Sequence, residues 1–277
     1  MLVRSFNLCR LGMRSIGSAG RFFASQNGPG FASDAKLAMA RKLVLITGWS
    51  GAGKTTTGNF LEFYHGLHHL DGDNIMHRKD DRSIKLRDGL VRWTHKVKSF
   101  YDFWFKDLPA PPELWKPYID ELVGQYMEAA ESFPAIVLSF SVYRREVRDY
   151  FRQRIPEIFF LKLDCDPDVV IRSALGRLET YLENKKQTVE DWWREEKKEE
   201  KYGKFSMETY KQMQMTEFLA GMQPLDAGEG VSCDVTPRGQ KALDAVAEAL
   251  GLPKKDIDLE QLKREERARL AQIAAAH

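Results

Sequence analysis

Nine consecutive residues in the first quarter of the sequence have the composition of a phosphate-binding loop. Residues 48–56 read Gly-Trp-Ser-Gly-Ala-Gly-Lys-Thr-Thr and match the pattern G-x-x-x-x-G-K-[ST]. Glycines lack a Cβ, so the backbone can curl and direct several N–H groups at phosphate oxygens. The lysine adds a cation for the outer phosphates, and the next hydroxyl can hold Mg²⁺. The predicted nucleotide-binding residues are Gly48, Ser50, Gly51, Ala52, Gly53, Lys54, Thr55 and Thr56, with Thr55 as the metal ligand and Lys54 also catalytic.

The sequence on either side supplies the elements that such a loop needs. Leu43 to Thr47 form a short apolar run rich in β-branched residues, which is typical of a buried strand. After the loop there is no nearby proline, and Phe60, Leu61 and Tyr64 recur at helical spacing. The N-terminus of that helix adds its own attraction for anions. This context favours nucleotide binding over a chance glycine-rich turn.

Two carboxylates follow the next candidate strand, residues 68–71. They belong to the run Asp71-Gly72-Asp73. In a parallel sheet, ligands bind at the carboxyl ends of the strands, so this run is expected beside the outer phosphate. A carboxylate there can accept the proton of an attacking hydroxyl or orient a Mg²⁺-bound water. We predict this catalytic role for Asp73, with Asp71 as the second candidate; the alternative is a solvent-exposed Asp-Gly turn.

Three arginines follow the third candidate strand, residues 135–140. Arg144, Arg145 and Arg148 lie at the start of a basic helix predicted over 145–154. Guanidinium groups suit carboxylate, phosphate or sulfate, so these residues are predicted to bind an anionic acceptor. The alternative is a solvated basic helix.

A polar segment over residues 179–216 is predicted to form a lid, and Arg177 precedes it. In small kinases the arginine of such a lid can stabilise the transferring phosphoryl group, so Arg177 is a further catalytic candidate. The mixed-charge run 194–201 inside this segment is predicted to be a solvated helix face.

Strand and helix patterns alternate along the chain, which predicts an α/β protein with a doubly wound parallel β-sheet. With the loop, this is the P-loop nucleoside-triphosphate hydrolase/kinase fold with a lid segment. We expect a transit peptide and linker over 1–33, the P-loop domain over 34–250 and a charged C-terminal helix over 251–277. The candidate strands are 43–47, 68–71, 135–140, 158–163 and 230–236.

Composition is that of an ordinary soluble enzyme: 277 residues, 43% hydrophobic and 30% charged. No apolar stretch reaches the length of a membrane span, so no membrane contact is expected. Residues 1–33 carry four Arg and no acid, so the net charge of +2 leaves −2 on the remainder, which argues against nucleic acid as a partner. The cysteines Cys9, Cys165 and Cys233 show no metal or C-x-x-C spacing, which indicates a reducing compartment.

The N-terminal segment has the features of an organellar targeting sequence. On a helix, Arg4, Arg10 and Arg14 fall opposite an apolar face, and the segment contains no acid. An arginine-rich, acid-free amphipathic start is typical of a transit peptide. We therefore expect the mitochondrial matrix, with processing near Ala24; a plastid is the alternative, as is a disordered basic tail on a cytoplasmic protein.

The motifs together resemble the gluconokinase group of small P-loop kinases. Beside the loop, the resemblance rests on Leu70-Asp71-Gly72-Asp73…His77, on Ser139-x-Ser141-x-x-Arg144-Arg145-x-x-Arg148-Asp149, and on the closing segment 222–235. It covers most of residues 42–250. It implies ATP-dependent phosphoryl transfer to a hydroxyl of a small anionic metabolite, gluconate, in carbohydrate metabolism. ATP and Mg²⁺ are the implied cofactors, and Asp71 and His77 join the acceptor site.

The chain departs from that group at two places. Three residues separate Asp73 from His77, and the run Asp-Gly-Asp-Asn at 71–74 is closer to the motif of adenylylsulfate kinase. The Gly-His-Phe of the group's short lid is missing after Arg177. Two alternatives therefore stay open: an adenylylsulfate kinase, and a non-catalytic ATP-binding regulatory protein. A homodimer is also an open alternative.

Overall fold

The computed structural model describes residues 43–77, 80–91 and 112–275. The predicted transit peptide and linker lie outside these residues, as does most of segment 90–118, which is rich in Trp, Phe and Tyr.

Five parallel strands form one sheet with helices packed against it, which confirms the predicted α/β class. Their order is β2-β3-β1-β4-β5, so β1 lies in the middle and pairs with β3 on one side and β4 on the other. In register, Ile46 of β1 lies between Ser139 and Leu161. The strands are β1 Leu43–Gly48, β2 His68–Asp71, β3 Ile136–Ser139, β4 Phe159–Asp164 and β5 Gly230–Asp234.

Helices connect the strands, and the one after β3 begins at Arg145, as the sequence predicts. Asp166 caps the helix that starts at Pro167: its carboxylate accepts from Asp168 N, and proline follows at the first helical position. The described α-helices are α1 Lys54–His65, α2 Asn74–His77, α3 Asp81–Val91, α4 Pro112–Ala130, α5 Arg145–Arg154, α6 Pro167–Glu183, α7 Val189–Glu195, α8 Lys198–Tyr202, α9 Met207–Gln214, α10 Gly239–Ala249 and α11 Leu259–Ala275; a short π-helix, Met215–Leu219, follows α9.

Every residue of β1 is buried, which shows that both faces of the sheet are covered there. Val44 and Ile46 belong to one apolar cluster, which also contains residues of α1, α6 and α10. Leu43 and Leu45 belong to a second cluster, which contains residues of α4 and α5. The two clusters lie on opposite faces of the doubly wound sheet, and the carboxyl ends of its strands stay available for a ligand.

The lid segment has an aromatic centre of its own. Trp193 is completely buried, and its Nε1 donates to Gly203 O at 2.8 Å. The rings of Tyr202, Phe205 and Tyr210 lie 5.5–6.3 Å from it. The mixed-charge run around it is divided at Lys197, whose φ of +53° ends one helix before the next begins. The lid is therefore a small packed unit rather than a polar connection.

The C-terminal helix packs on the helix that follows the phosphate loop. Leu262 is 1% exposed and belongs to the same apolar cluster as Phe60 of α1. At the start of α11, Asp258 N donates to Tyr64 Oη at 3.1 Å. Among the described helices, none is long and apolar enough to cross a membrane.

Candidate functional site

The phosphate loop connects β1 to α1 with the predicted strand–turn–helix geometry. Gly51 and Gly53 have φ of +93° and +95°, a region that favours glycine. Gly53 is the N-cap of α1, and its carbonyl accepts from Thr57 N at 2.9 Å. The loop therefore ends at a helix N-terminus, whose N–H groups and dipole attract phosphate.

Lys54 lies folded along the loop rather than extended into solvent. Its Nζ donates to Gly48 O at 3.2 Å and to Trp49 O at 3.1 Å, and the residue is only 9% exposed. Both acceptors are neutral carbonyls, so the positive charge is kept at the loop. The ammonium group is thus placed where the outer phosphates of a nucleotide would bind.

Thr55 and Asp71 form the oxygen-rich side of the site. Thr55 Oγ1 donates to Asp71 Oδ2 at 3.0 Å, and Asp71 Oδ1 accepts from Asp73 N at 3.0 Å. A hydroxyl and a carboxylate are ligands that Mg²⁺ prefers, and Mg²⁺ commonly takes only one or two protein ligands beside phosphate and water, so these residues fit that ion. Within the described ranges, no group of three or more His, Cys, Asp or Glu side chains is arranged to hold a metal ion. The structure brings Asp71, a predicted acceptor residue, next to Thr55, the predicted metal ligand.

Asp73 has the electrostatic character of a proton acceptor. The residue is exposed, yet the protein around its carboxyl is dense enough for desolvation to raise the pKa to about 6. The charge of Asp71 raises this pKa further, and the charge of Lys54 lowers it. A carboxylate with a pKa near neutrality is a stronger base than an ordinary aspartate, as general-base catalysis requires.

Tyr143 is a site residue that sequence reasoning missed. It is fully buried, and its hydroxyl accepts from Ser50 N of the phosphate loop at 3.0 Å. Burial raises the pKa of its phenol, which therefore stays neutral at physiological pH; the Ser50 N–H partly offsets this, and the charge of Asp73 adds to it. The preceding residue, Val142, exchanges two 2.9 Å hydrogen bonds with Thr47 Oγ1. The segment after β3 is thereby fixed to β1 and to the loop.

Arg148 does not take the acceptor-binding role that the sequence predicted. Its side chain is 1% exposed, and its Nε donates to both carboxylate oxygens of Glu229 at 3.2 and 3.1 Å. The remaining guanidinium nitrogens donate to the carbonyls of Tyr143, Gln223 and Pro224. A guanidinium so enclosed has a structural role, because an acceptor anion could reach it only after these bonds were broken.

The other two arginines of that turn lie nearer to solvent. Arg145 is exposed, and its Nε contacts Asp226 Oδ2 at 2.8 Å, while its N–H donates to Gln223 Oε1 at 2.6 Å. Arg144 has an 11% exposed side chain with Nη2 3.7 Å from Glu146. Both stay predicted acceptor residues, with Arg145 held by a carboxylate that an anionic ligand would have to displace.

Two arginines from different elements converge on Gly51. A Cβ built on Gly51 would lie 2.9 Å from Nη2 of Arg177, which places this predicted catalytic residue beside the loop. From the connection between β5 and α10, Arg238 Nη2 donates to Gly51 O at 2.9 Å. Sequence reasoning missed Arg238, although its place just after the last strand was a usable signal, because ligands bind at the carboxyl ends of strands.

The remaining predicted residues have diverse environments. Ala52 is 2% exposed, so its side chain belongs to the core and only its backbone faces the loop. Thr56 Oγ1 lies 3.5 Å from Glu266 Oε2 of α11. The backbone of His77 ends the short helix α2, and its side chain lies outside the described residues, so its role stays a prediction.

Close packing holds the acidic turn in place. A Cβ on Gly72 would lie 2.7 Å from the ring of Phe140, so only glycine fits between the two carboxylates. The hydroxyl of Tyr118 donates to Gly72 O at 2.7 Å, and its ring stacks on Phe140. Although β3 separates β2 from β1, the turn is therefore rigidly positioned next to Thr55.

No protein-family model matches the sequence, and no curated protein matches it at a significant level. Among solved structures, the chain is similar to a gluconokinase from Sinorhizobium meliloti 1021, with 16% identity and a TM-score of 0.44 over 76% of this chain and 92% of that one. It is also similar to a sugar kinase from Janibacter sp. HTCC2649, with 18% identity and a TM-score of 0.45 over 78% and 96% of the two chains. Likeness at this level does not define a substrate.

Proposed function

We propose that the chain is an ATP-dependent kinase that transfers the γ-phosphoryl group to a hydroxyl of a small anionic metabolite. One observation carries the proposal: Lys54, the Thr55–Asp71 pair and a carboxyl of raised pKa, Asp73, meet at the carboxyl end of the sheet. A protein that only binds nucleotide has no need of a proton acceptor at that position.

Each group has a distinct task in this reaction. The loop N–H groups and Lys54 bind the triphosphate, and Thr55 with Asp71 would hold Mg²⁺, whose charge offsets that of the phosphate oxygens. Asp73 accepts the proton of the acceptor hydroxyl as the oxygen attacks phosphorus. Arg177, beside Gly51, stabilises negative charge on the transferring group.

Gluconate is the acceptor that we propose first. Its support is the resemblance of residues 70–77 and 139–149 to the gluconokinase group. Arg144 and Arg145 supply positive charge at the end of β3 for its carboxylate.

The test is a phosphoryl-transfer screen of the full chain with ATP and Mg²⁺. Gluconate and adenylylsulfate are offered separately, phosphorylated product is detected by phosphorus NMR, and Lys54→Ala measures the background. Phosphogluconate formation supports the proposal. Turnover of adenylylsulfate alone assigns the chain to that activity, and tight ATP binding without any product contradicts the kinase in favour of a regulatory protein.

We also propose delivery to the mitochondrial matrix, on the strength of the acid-free, arginine-rich N-terminus. A reporter fused to residues 1–33 is expected in mitochondria, with processing near Ala24. Replacing Arg4, Arg10 and Arg14 by Gln is expected to abolish import. A cytosolic or plastid signal from the unmodified fusion contradicts the proposal.

A further inference from the structure

Arg238 has a backbone conformation that few arginines adopt. Its φ is +55° and its ψ is 172°, a region that is almost exclusive to glycine. Glycine follows directly, since Gly239 has φ of +59°. Replacing Arg238 by glycine would remove the strain, so the arginine side chain must contribute something that a glycine cannot.

The side chain reaches the phosphate loop from the far end of the sequence. Arg238 Nη2 donates to Gly51 O at 2.9 Å, and Nη1 lies 3.5 Å from the position of a Cβ built on Gly53. The backbone of the same turn is fixed, because Arg238 N donates to Val235 O at 3.2 Å. The strained turn therefore directs the guanidinium across two glycines of the loop.

No carboxylate neutralises this guanidinium within the described part of the chain. Its one hydrogen bond there is to a neutral carbonyl, which leaves further N–H donors for a ligand. Arg177, which approaches Gly51 from α6, also has no ion pair among the described residues. Two guanidinium groups without carboxylate partners thus converge on one peptide of the loop. That arrangement suits a multiply charged anion.

We propose that Arg238 is a further nucleotide-binding residue, whose guanidinium binds the polyphosphate of the nucleotide while it is anchored on Gly51. The inference rests on the proposed nucleotide binding and adds a residue from the β5–α10 connection to that site. The strained backbone is the structural cost of bringing this positive charge to the loop.

Arg238→Gly tests what the guanidinium contributes to nucleotide binding without lowering the stability of the fold. The substitution removes the side chain and, at the same time, relieves the backbone strain. We expect the melting temperature without nucleotide to equal or exceed that of the wild type. The Kd of Mg·ATP, measured by calorimetry, is expected to rise about tenfold or more through loss of a charge-assisted contact. Arg238→Lys, which keeps the charge without the guanidinium fork, is expected to show a smaller loss.

Lys186→Gly is the matched control. Lys186 is an exposed basic residue that, like Arg238, has a positive φ (+53°), and its N–H donates to Glu183 O just after α6. This variant is expected to gain stability and to keep wild-type affinity for ATP. An equal loss of affinity in the control would mean that removing any positive charge suffices, and would overturn the assignment.

The ligand series identifies which part of the nucleotide Arg238 contacts. An equal fold-loss for ATP and inorganic triphosphate supports the polyphosphate contact, whereas a loss confined to ATP overturns it in favour of the base or ribose. Wild-type affinity in Arg238→Gly overturns the inference and leaves the proposed function standing. If the wild type binds no ATP, the proposed function fails and the inference fails with it.

Discussion

The phosphate loop and the turn after β3 both carry basic residues that the sequence predicts to bind anions. In the folded structure, the side chains of these residues have different hydrogen-bond partners. At the loop, the Nζ of Lys54 donates to the neutral carbonyls of Gly48 and Trp49. At the turn, Arg148 is enclosed by Glu229 and three carbonyls. A basic residue that a buried carboxylate already holds, as Glu229 holds Arg148, is not available to bind an anionic ligand.

The pairing of Arg148 explains how the turn is built. Glu229 is almost fully buried and also accepts from Arg152 Nη1 at 2.6 Å, and its second oxygen accepts from Asp226 N at 2.6 Å. This carboxylate joins α5 to the segment that leads into β5. Because Arg148 also binds the carbonyl of Tyr143, it helps to position the residue whose hydroxyl contacts the loop.

The largest expected effect is on stability, in Arg148→Ala. Removing one partner of a buried ion pair leaves Glu229 undercompensated, so the free energy of unfolding is expected to fall by about 3–5 kcal/mol in chemical denaturation. Arg145→Ala is the control; its exposed ion pair is worth less than about 1 kcal/mol. A normally stable Arg148→Ala with a raised KM for the acceptor would restore the role predicted from the sequence.

Lys54→Ala is expected to lower kcat by about 10²–10³-fold, the typical cost of losing one preorganised charge-stabilising group at a reacting centre. Its melting temperature without nucleotide should be near that of the wild type, because the side chain lies along the polar loop and belongs to neither apolar cluster. Steady-state kinetics beside Lys241→Ala, an exposed residue of α10, checks this. Normal turnover in Lys54→Ala would contradict the proposed reaction.

Asp73→Asn is expected to lower kcat by about 10²-fold, the lower end of general-base contributions. Wild-type kcat should fall as the pH drops through about 6, where Asp73 takes up its proton, and the variant should lack this limb. Asp81→Asn, on the exposed start of α3, is expected to keep the wild-type profile. An unchanged acid limb in Asp73→Asn would assign the titration to another group.

The raised pKa of Asp73 also predicts an effect on stability. The ionised carboxylate that serves as the base in the reaction destabilises the folded protein. A folded-state pKa raised from 3.8 to about 6 means that charging Asp73 opposes folding fully above pH 6 and not at all below about 4. Without nucleotide, Asp73→Asn should therefore be slightly more stable than the wild type at pH 8. This advantage should shrink as the pH falls from 6 to 4, which denaturation at several pH values can measure.

The smallest expected effect is that of Tyr143→Phe, which removes only the hydroxyl that accepts from Ser50 N. A hydrogen bond of this kind contributes about 0.5–1.5 kcal/mol, so the KM for ATP is expected to rise less than about tenfold. Tyr150→Phe is the control, because its hydroxyl donates to Asp120 at 2.8 Å and not to the loop. Equal KM values in both variants would show that Tyr143 only fills the core.

Local sequence was enough to predict the elements themselves. The phosphate loop was predicted between a strand and a helix, as the structure shows, and the helix at 145–154 and the strand at 68–71 were predicted with the observed bounds, because glycine conformation and periodicity act over a few neighbouring residues. The lid was predicted only as a polar segment. Its aromatic centre around Trp193 was not predicted, because the side chains that form it come from several short helices and meet only after folding.

The sequence by itself determined that this chain has a phosphate loop on a parallel sheet with two carboxylates at the next strand's end. The tertiary structure decided which residues serve it, because strand order puts β3 between β2 and β1 and brings distant segments together. Arg148 meets Glu229 across 81 positions, Ser50 meets Tyr143 across 93, and Gly51 meets Arg238 across 187. Such contacts form by packing and charge pairing in three dimensions, and no local pattern of residues records them.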